Sequence, residues 1–215
     1  MPAVWDCHFK VLQMGIIPKC ILETAERLAL LPGIGPRTAQ RLTFFLLKRP
    51  DILNQSLAGS IGNLGDALKK CETCQNFTEN SPCEICTDPT RDQMELCIVE
   101  SPLDAFNIEN TSYNGLYHIL HGTISPIDGI TPKQLQLDKL FDRILVIAQK
   151  DKVEIILATN PTMEGENTAL YIHNHLKKHK NISITRLARG LPMGSDVEYV
   201  DEITLQKAFE GRQNI

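Results

Sequence analysis

Four cysteines in two matched pairs constrain the fold of this chain more than any other feature of its sequence. They are Cys71-x-x-Cys74 and, after eight intervening residues, Cys83-x-x-Cys86. Four thiolates can close a tetrahedral zinc site with no open position for water, which is the ligand set of a structural site. Zinc binding to such sites contributes about 10–16 kcal/mol, so the metal would fold the loop around it. A redox pair and four free thiols are the alternatives.

Length and composition limit the class of protein. A chain of 215 residues can bury a core and can hold one large domain or several small ones. With 42% hydrophobic and 22% charged residues, it is typical of soluble globular proteins. No apolar run approaches the roughly 18 residues that a membrane span needs. No charged-then-apolar leader opens the chain, so we expect a cytoplasmic protein whose seven cysteines serve as metal ligands or free thiols.

The first organised segment predicts two helices joined by a tight turn. Apolar residues follow helical spacing from Ile21 to Leu31, and the 3.6-residue period resumes after the string LPGIGP. Gly33 and Gly35 allow a turn with positive φ, and Pro36 suits the first turn of the second helix. This segment resembles the helix-hairpin-helix motif of DNA repair proteins.

The same turn suggests how DNA could be held. Glycines leave backbone N–H groups exposed at a helix N-terminus, where a phosphate can bind without any contact to a base. Arg37 and Arg41 are one turn apart on the second helix, so both can reach the same DNA backbone. Gly33, Gly35, Arg37 and Arg41 are therefore the candidate DNA-binding residues. The alternative is a plain helical hairpin whose glycines serve only the turn.

Charge is unevenly spread along the chain, although the net charge is −4. Residues 19–49 carry six basic and two acidic side chains, whereas residues 92–180 carry eight basic and twelve acidic ones. A basic front and an acidic middle fit a localised phosphate contact better than a polycationic wrap around DNA. Ordinary solvated helix faces remain the alternative.

A longer helix and then an α/β region follow the hairpin. Pro50-Asp51 breaks the chain with Asp51 as a candidate N-cap, and a stripe of five apolar residues up to Leu68 predicts a helix of about five turns. After Arg91, short apolar runs alternate with helical ones, which predicts βαβ units around a mainly parallel sheet. Ser101-Pro102 and Thr131-Pro132 have the composition of helix starts. Cys97 lies in an apolar run and is expected to be buried.

A polar loop follows the strand predicted at Val153 to Ala158, and a helix is predicted from Gly165 onward. The loop holds Asn160, Thr162, Glu164 and Glu166 at the carboxyl end of that strand, where ligands and metals bind in open α/β sheets. It resembles the second acidic motif of Toprim domains, the metal-binding fold shared by topoisomerases and primases. The first strand of the region ends at Glu100, which this fold would place beside the Asn160 loop.

The loop departs from the Toprim pattern at the two positions that matter most for catalysis. Asn160 and Thr162 stand where that family has Asp-x-Asp, and phosphoryl transfer by two metal ions needs several hard oxygen ligands. We therefore predict no enzymatic activity. Glu100, Asp104, Asn160 and Glu164 form a predicted acidic surface for a partner, or for one weakly held Mg²⁺.

The order of these parts is similar to the RecR family of bacterial recombination mediators. The resemblance extends from about Ile17 to Arg212 and leaves Met1 to Gln13 without an assigned role. It predicts an α+β chain of several parts, with these bounds: residues 1–18, a tail; 19–70, a helix-hairpin-helix domain for DNA binding and oligomerisation; 71–88, a four-cysteine zinc finger; 92–180, an α/β Toprim domain with a mainly parallel sheet; 181–215, a C-terminal strand and helix segment. The sequence segments that carry the resemblance are LPGIGPRTAQRL, CIVESPLDAFNIE, HGTISPIDGITP, ATNPTMEGENTA and LARGLPMGSDVEYVDEITL.

The resemblance implies a function as well as a fold. Members of this family are non-enzymatic clamps whose subunits swap N- and C-terminal segments to form dimers and a tetrameric ring around single- or double-stranded DNA. With RecO and RecF they load RecA onto single-stranded DNA in the cytoplasm, at the nucleoid. The zinc ligands would be Cys71, Cys74, Cys83 and Cys86.

Two other functions stay open on the sequence. One is a Mg²⁺-dependent nuclease or primase-like enzyme that uses Glu100, Asp104, Glu164 and Glu166. The other is a protein-interaction hub whose DNA affinity is incidental. Metal-dependent cleavage that is lost in Glu100→Ala would favour the first, and DNA binding that survives Arg37→Ala with Arg41→Ala would favour the second.

Overall fold

A computed structural model describes residues 17–49 and 51–212 of the chain. Met1 to Gln13, whose sequence carries no motif, lies outside the described residues. The chain divides into two compact units, one ending at Ala67 and the other beginning at Leu68. None of the described helices is both long enough and apolar enough to cross a membrane.

The N-terminal unit contains three helices, α1 (Lys19–Leu28), α2 (Pro36–Leu47) and α3 (Asp51–Ala67). The buried residues of this unit, as far as it is described, are Ala25 of α1 and Ala39 and Thr43 of α2. Because these side chains are small, the two helices can approach closely. The hydroxyl of Thr43 donates to the carbonyl of Ala39 at 3.0 Å, so this buried polar group is satisfied within the helix.

The turn between α1 and α2 agrees with the predicted hairpin. Gly33 has a φ of 80°, in the left-handed region that glycine adopts without a steric penalty. Gly35 has a φ of −78°, so of the two glycines only Gly33 uses positive φ. Gly35 is the N-cap of α2 and Pro36 is the first helical residue, which has no N–H to leave unpaired.

Helix α3 forms as predicted, but none of its residues is buried. Asp51 is its first helical residue rather than a cap preceding it. Leu57 and Ile61 face an open apolar groove that residues of α1 and α2 also line. Ile61 and Leu64 are 60% and 61% exposed, so residues 17–49 and 51–212 leave the apolar stripe of this helix uncovered.

The second unit begins with the cysteine-rich segment. Two short antiparallel strands, β1 (Lys69–Lys70) and β2 (Phe77–Thr78), are followed by the single-turn helix α4 (Glu84–Thr87). Cys71, Cys74 and Cys83 are buried and Cys86 is partly buried, although the segment is otherwise small and polar. The four cysteines are thus the core of this finger.

The largest part of the second unit is a four-stranded parallel sheet in the order β4-β3-β5-β6. It confirms the predicted α/β domain. The elements in chain order are β3 (Asp92–Val99), α5 (Pro102–Glu109), β4 (Gly115–Ile119), α6 (Leu137–Ala148), β5 (Val153–Leu157), α7 (Met163–Leu176) and β6 (Ile182–Arg186).

The central strands are buried on both faces, as parallel sheets covered by helices are. Alternate residues of β3 serve two cores: Leu96 and Ile98 pack with residues of α6 and α7, while Cys97 and Val99 pack with Ala105 of α5 and with β4. Cys97 is 1% exposed, which confirms its predicted burial.

One predicted helix start is wrong. The sequence places a start at Thr131-Pro132, but α6 begins at Leu137. The Thr131 backbone N–H and hydroxyl donate to the side chain of Gln134 at 2.7 and 3.0 Å and stabilise a turn. Gln136 then has a φ of 52°, which an α-helix cannot contain. The other predicted start is correct, with Ser101 as N-cap of α5.

The chain ends in a 3₁₀ turn (Val197–Tyr199) and helix α8 (Glu202–Glu210). The carboxylate of Asp201 accepts a hydrogen bond from the Thr204 N–H at 2.9 Å and caps the N-terminus of α8. No residue of α8 is buried.

Candidate nucleic-acid interface and metal centre

The outer face of α2 combines positive charge with aromatic surface. Arg37, Arg41 and Lys48 line one open concavity together with Phe44 and Phe45. These residues recur at three- and four-residue steps, so they lie along one side of the helix. The concavity therefore offers cations and ring faces to the same ligand.

The two phenylalanines are the part of this face that the sequence analysis missed. Phe44 is 43% and Phe45 47% exposed, and the guanidinium carbon of Arg49 lies 4.6 Å from the centre of the Phe45 ring. The signal was available, because Phe44 and Phe45 are three and four residues after Arg41. Apolar residues in an amphipathic helix are normally assigned to a core, and here the aromatic side chains lie outside it.

The start of α2 is open to a ligand. Gly35 places no side-chain cap on the first backbone N–H groups of the helix. A Cβ built on Gly33 or Gly35 meets no atom within 4 Å, so the backbone there is accessible. Uncapped N–H groups and the helix dipole favour an anion at this point.

The four cysteines of the finger form one ligand set. Their sulfurs all lie within 4.8 Å of one another, and those of Cys74 and Cys83 are 3.5 Å apart. Among the described residues this is the sole group of three or more His, Cys, Asp or Glu side chains able to share an ion. The structure thus brings the predicted zinc ligands together.

The four thiols change one another's pKa values. A hydrogen bond from Cys86 lowers the pKa of Cys74 to about 5, whereas burial raises the pKa of Cys83 to about 11. The bond to Cys74, with burial, also raises the pKa of Cys86. Four converging thiol groups in a buried cluster are the ligand set of a closed tetrahedral site. The residues therefore fit structural Zn²⁺.

The finger is joined to the sheet through β4 and the residues after it. The Ile119 N–H donates to the carbonyl of Cys74 at 2.9 Å. His121 Nε2 lies 2.6 Å from the carbonyl oxygen of Gln75, and the His121 ring meets Phe77 edge-on with centroids 5.2 Å apart. Folding of the finger is thus connected to the packing of the sheet.

The Toprim-like edge lies where β3 and β5 end, at the point where the strand order reverses. Glu100 was expected beside the Asn160 loop, and this prediction is confirmed. The two oxygens of Glu100 accept hydrogen bonds from the Asn160 backbone N–H and side-chain amide at 2.8 and 2.6 Å. The Glu100 carboxylate is therefore already engaged by a neutral partner.

Thr162 of the loop, and Asp104 and Glu164 of the predicted acidic surface, have separate structural contacts. The hydroxyl of Thr162 caps α7 by accepting from the Gly165 N–H at 3.1 Å. Asp104 belongs to the capping box of α5 and accepts from the N–H and hydroxyl of Ser101 at 2.9 and 2.8 Å. The Glu164 carbonyl accepts from the Thr168 hydroxyl.

Glu166 is turned away from this edge by two arginines. Arg186, at the end of β6, and Arg189, just after it, both donate to the Glu166 carboxylate. Partial burial alone would raise the pKa of Glu166, but Arg189 and Arg186 outweigh it and hold the pKa below its usual range. Nothing in the spacing of the sequence indicated these two arginines.

A helix-hairpin-helix unit, a four-cysteine finger and a Toprim sheet define a modular protein of DNA recombination and repair. Four family models match the chain, and they describe a RecR helix-hairpin-helix at residues 23–64, a RecR zinc finger domain with four cysteines at 68–88, a Toprim domain at 94–188 and a RecR C-terminal segment at 190–213.

Several relatives carry the name Recombination protein RecR. One from Pelotomaculum thermopropionicum is 46% identical over 203 residues, which are 94% of this chain and 100% of the relative. One from Roseiflexus castenholzii is 44% identical over 94% of this chain and 97% of its own length. One from Desulfitobacterium hafniense is 44% identical over 92% of this chain and 97% of its own length. The chain belongs to the RecR family of recombination proteins.

Proposed function

We propose that this chain binds DNA without sequence specificity and acts as a mediator of recombinational repair. The basic face of α2 carries the proposal, because Arg37, Arg41 and Lys48 line one concavity next to an uncapped helix N-terminus. Gly33 and Gly35 would let a phosphate approach the backbone, and Arg37 and Arg41 would neutralise it. The uncapped N–H groups of the helix start would bind a phosphate and not a base edge, so the proposed contact is to the DNA backbone.

The exposed rings extend this proposal to unpaired strands. Phe44 lies between Arg41 and Lys48 along the helix. Arg49 stacks on Phe45, whereas no cation of the described part of the chain stacks on Phe44. A cationic groove with an aromatic face binds single-stranded DNA by holding phosphates and stacking bases. Duplex DNA can use the cations alone, because its bases are not available for stacking.

A salt titration of DNA binding tests the proposal. Arg37→Ala with Arg41→Ala should weaken binding about tenfold or more at low salt and reduce the salt slope by about 1 to 2, because phosphate contacts are lost. Lys150→Ala with Lys152→Ala removes the same charge from the second unit and serves as the control. Equal effects of the two double variants would mean that net charge, not the α2 face, determines binding, and unchanged binding in both would favour the interaction hub.

A clamp assembled from several copies fits the exposed apolar surfaces of the N-terminal unit. The α3 stripe and the groove formed with α1 and α2 would be covered by a second copy, and residues 181–215 would be exchanged at another contact. Such dimers and tetramers would close around DNA. Light scattering should give a mass near four protomers, with salt-sensitive retention of a short duplex, and a monomer that ignores DNA would contradict the ring.

The proposed role is non-catalytic. Asn160 occupies both oxygens of Glu100, and two arginines occupy Glu166, so the acids that could hold Mg²⁺ already have other partners. With RecO and RecF the protein would load RecA onto single-stranded DNA in the cytoplasm, at the nucleoid. A partner protein would bind the surface formed by Glu100, Asp104 and Glu164. Mg²⁺-dependent cleavage or primer synthesis that is lost in Glu100→Ala would contradict this role.

A further inference from the structure

Arg143 of α6 extends toward the place where the zinc finger meets the sheet. Its Nη1 donates to the carbonyl of Tyr117 at 2.7 Å and lies 3.4 Å from Nδ1 of His118. Two residues along β4, the Ile119 N–H donates to the carbonyl of Cys74. The guanidinium group therefore lies on the stretch of β4 that holds the finger.

One nitrogen of this guanidinium group, Nη2, has no hydrogen-bond partner in the described part of the chain. Nη2 of Arg143 is buried and makes no hydrogen bond within the described residues, and no carboxylate of that part of the chain forms an ion pair with Arg143. A buried cation without a counter-charge is costly. The neighbouring histidine cannot help, because burial and the charge of Arg143 lower the pKa of His118 to about 3 and keep its ring neutral.

The finger lies beside Arg143 on β4, because Tyr117, which accepts from Nη1, is two residues before Ile119, which donates to Cys74. Burial lowers the pKa of Arg143, and negative charge on Cys86, Cys74, Cys71 and Cys83 opposes that effect. A zinc ion with four thiolate ligands has a net charge of −2. This charge would lie on the sulfurs of the four cysteines, which are buried or partly buried. The two buried charges are thus opposite in sign.

We propose that Arg143 is the counter-charge of the zinc–tetrathiolate group and that zinc retention by the finger depends on this residue of the Toprim domain. The cation stabilises the thiolate form of the ligands, and the metal centre in turn supplies the charge that Arg143 lacks elsewhere. Arg143 is a positioning and charge-balancing residue and is not itself a ligand. Groups of this kind around metal sites change metal affinity by about 10- to 100-fold.

Arg143→Met tests the proposal, because methionine fills much of the same volume without charge. In the purified full-length, zinc-loaded protein, a colorimetric chelator should remove zinc at least about ten times faster from Arg143→Met than from the unsubstituted chain. Arg143→Lys keeps the charge and should recover most of the difference. With Co²⁺ in place of zinc, the thiolate-to-metal charge-transfer band should shift in Arg143→Met and return toward its original position in Arg143→Lys.

Arg91→Met is the matched control for a purely structural effect. Arg91 is also a partly buried arginine that donates to a β4 carbonyl, that of Gly115 at 3.1 Å, but its charge is balanced by Glu109. The Arg91→Met variant should have a lower unfolding temperature, but its zinc release and its cobalt band should not change. Equal zinc release from the two methionine variants would overturn the proposal, as would an unshifted cobalt band in Arg143→Met. If Arg143→Met does not fold, Arg143→Lys must still retain zinc better than Arg143→Gln, and equality of those two would also overturn it.

Discussion

The carboxylate of Glu100 accepts two hydrogen bonds from Asn160, one from the backbone N–H at 2.8 Å and one from the side-chain amide at 2.6 Å. An aspartate at position 160 could make only the first of these. The side-chain amide thus places a neutral hydrogen-bond donor beside Glu100, where β3 and β5 end.

Asn160→Asp should place a second carboxylate beside Glu100 and so create a site for a divalent cation. Two carboxylates would then face each other where the structure has a hydrogen bond, so the unfolding free energy should fall by about 1–3 kcal/mol in the absence of divalent ions. Millimolar Mg²⁺ or Mn²⁺ should restore part of the loss, as measured by thermal unfolding with and without the ion. Asn160→Ala is the control, since it loses the same hydrogen bond without adding charge and should not respond to metal. A lack of metal response in Asn160→Asp would show that Glu100 cannot share an ion at this position.

Gly165 should be intolerant of any side chain. A Cβ at this position would overlap the carbonyl of Asn160 and crowd Oε1 of Glu100, so Gly165→Ala must displace the loop that carries Asn160. We expect a loss of about 1–3 kcal/mol in chemical denaturation. Gly190→Ala, whose added Cβ would be 3.7 Å from Ala208, should change stability far less. Similar losses in the two variants would contradict the close approach seen at Gly165.

Phe44 should contribute to binding of unpaired bases and not to duplex binding. Phe44→Ala should weaken binding of a normal single strand by about 1–3 kcal/mol, the usual effect of losing one stacked base. An abasic strand of equal length has the same phosphates and should bind both proteins equally, as measured by fluorescence anisotropy. Phe106→Ala, which removes a ring that is 63% exposed on α5, is the control. Loss of abasic-strand binding or a changed mass in light scattering would instead assign Phe44 to a contact between copies.

Glu109 should make stability depend on acid pH. Hydrogen bonds from Arg91, together with that from Tyr117, hold the pKa of Glu109 below its ordinary value of 4.5. The folded-state pKa is thus lower than the unfolded one, so the contribution is complete above about pH 4.5 and is lost as pH falls through the folded pKa. Denaturation of Glu109→Gln should therefore show lower stability than the unsubstituted chain at pH 7.

The two proteins should converge in acid, because protonated Glu109 and glutamine are both neutral. Any loss of zinc in acid affects both, so their difference isolates Glu109. Glu198→Gln, at an exposed position, is the control and should follow the unsubstituted chain at every pH. A constant gap between Glu109→Gln and the unsubstituted chain from pH 7 to pH 3 would contradict this assignment.

Local patterns were sufficient to predict most of the fold. The alternating apolar runs predicted the parallel sheet, because burial on both faces leaves a recognisable sequence pattern. The cysteine spacing predicted the finger, since four thiols must converge for one ion to be shared. The carboxyl ends of parallel strands meet at one edge, so Glu100 could be placed beside the Asn160 loop from strand order alone.

The failures were also local, and they arose where side chains compete for the backbone. Thr131 and Pro132 look like a helix start, yet Gln134 bonds back to Thr131 and Gln136 adopts positive φ. Gly33 and Gly35 both permit positive φ in the turn between α1 and α2, but of the two only Gly33 adopts it. The type of a residue limits the backbone conformations that it can adopt. Its neighbours in the folded structure decide which of these it takes.

The sequence by itself predicted the order of the parts, the cluster of four cysteines and the loop that holds Asn160 and Thr162, because each depends on residue identity at a fixed spacing. The tertiary structure alone decided which charges meet. Arg143 reaches the Tyr117 carbonyl, beside the finger, only because α6 packs against the sheet. Arg186 and Arg189 reach Glu166 only because β6 pairs with β5. Electrostatic interactions act through space between residues far apart in the chain, so no spacing along the chain predicts them.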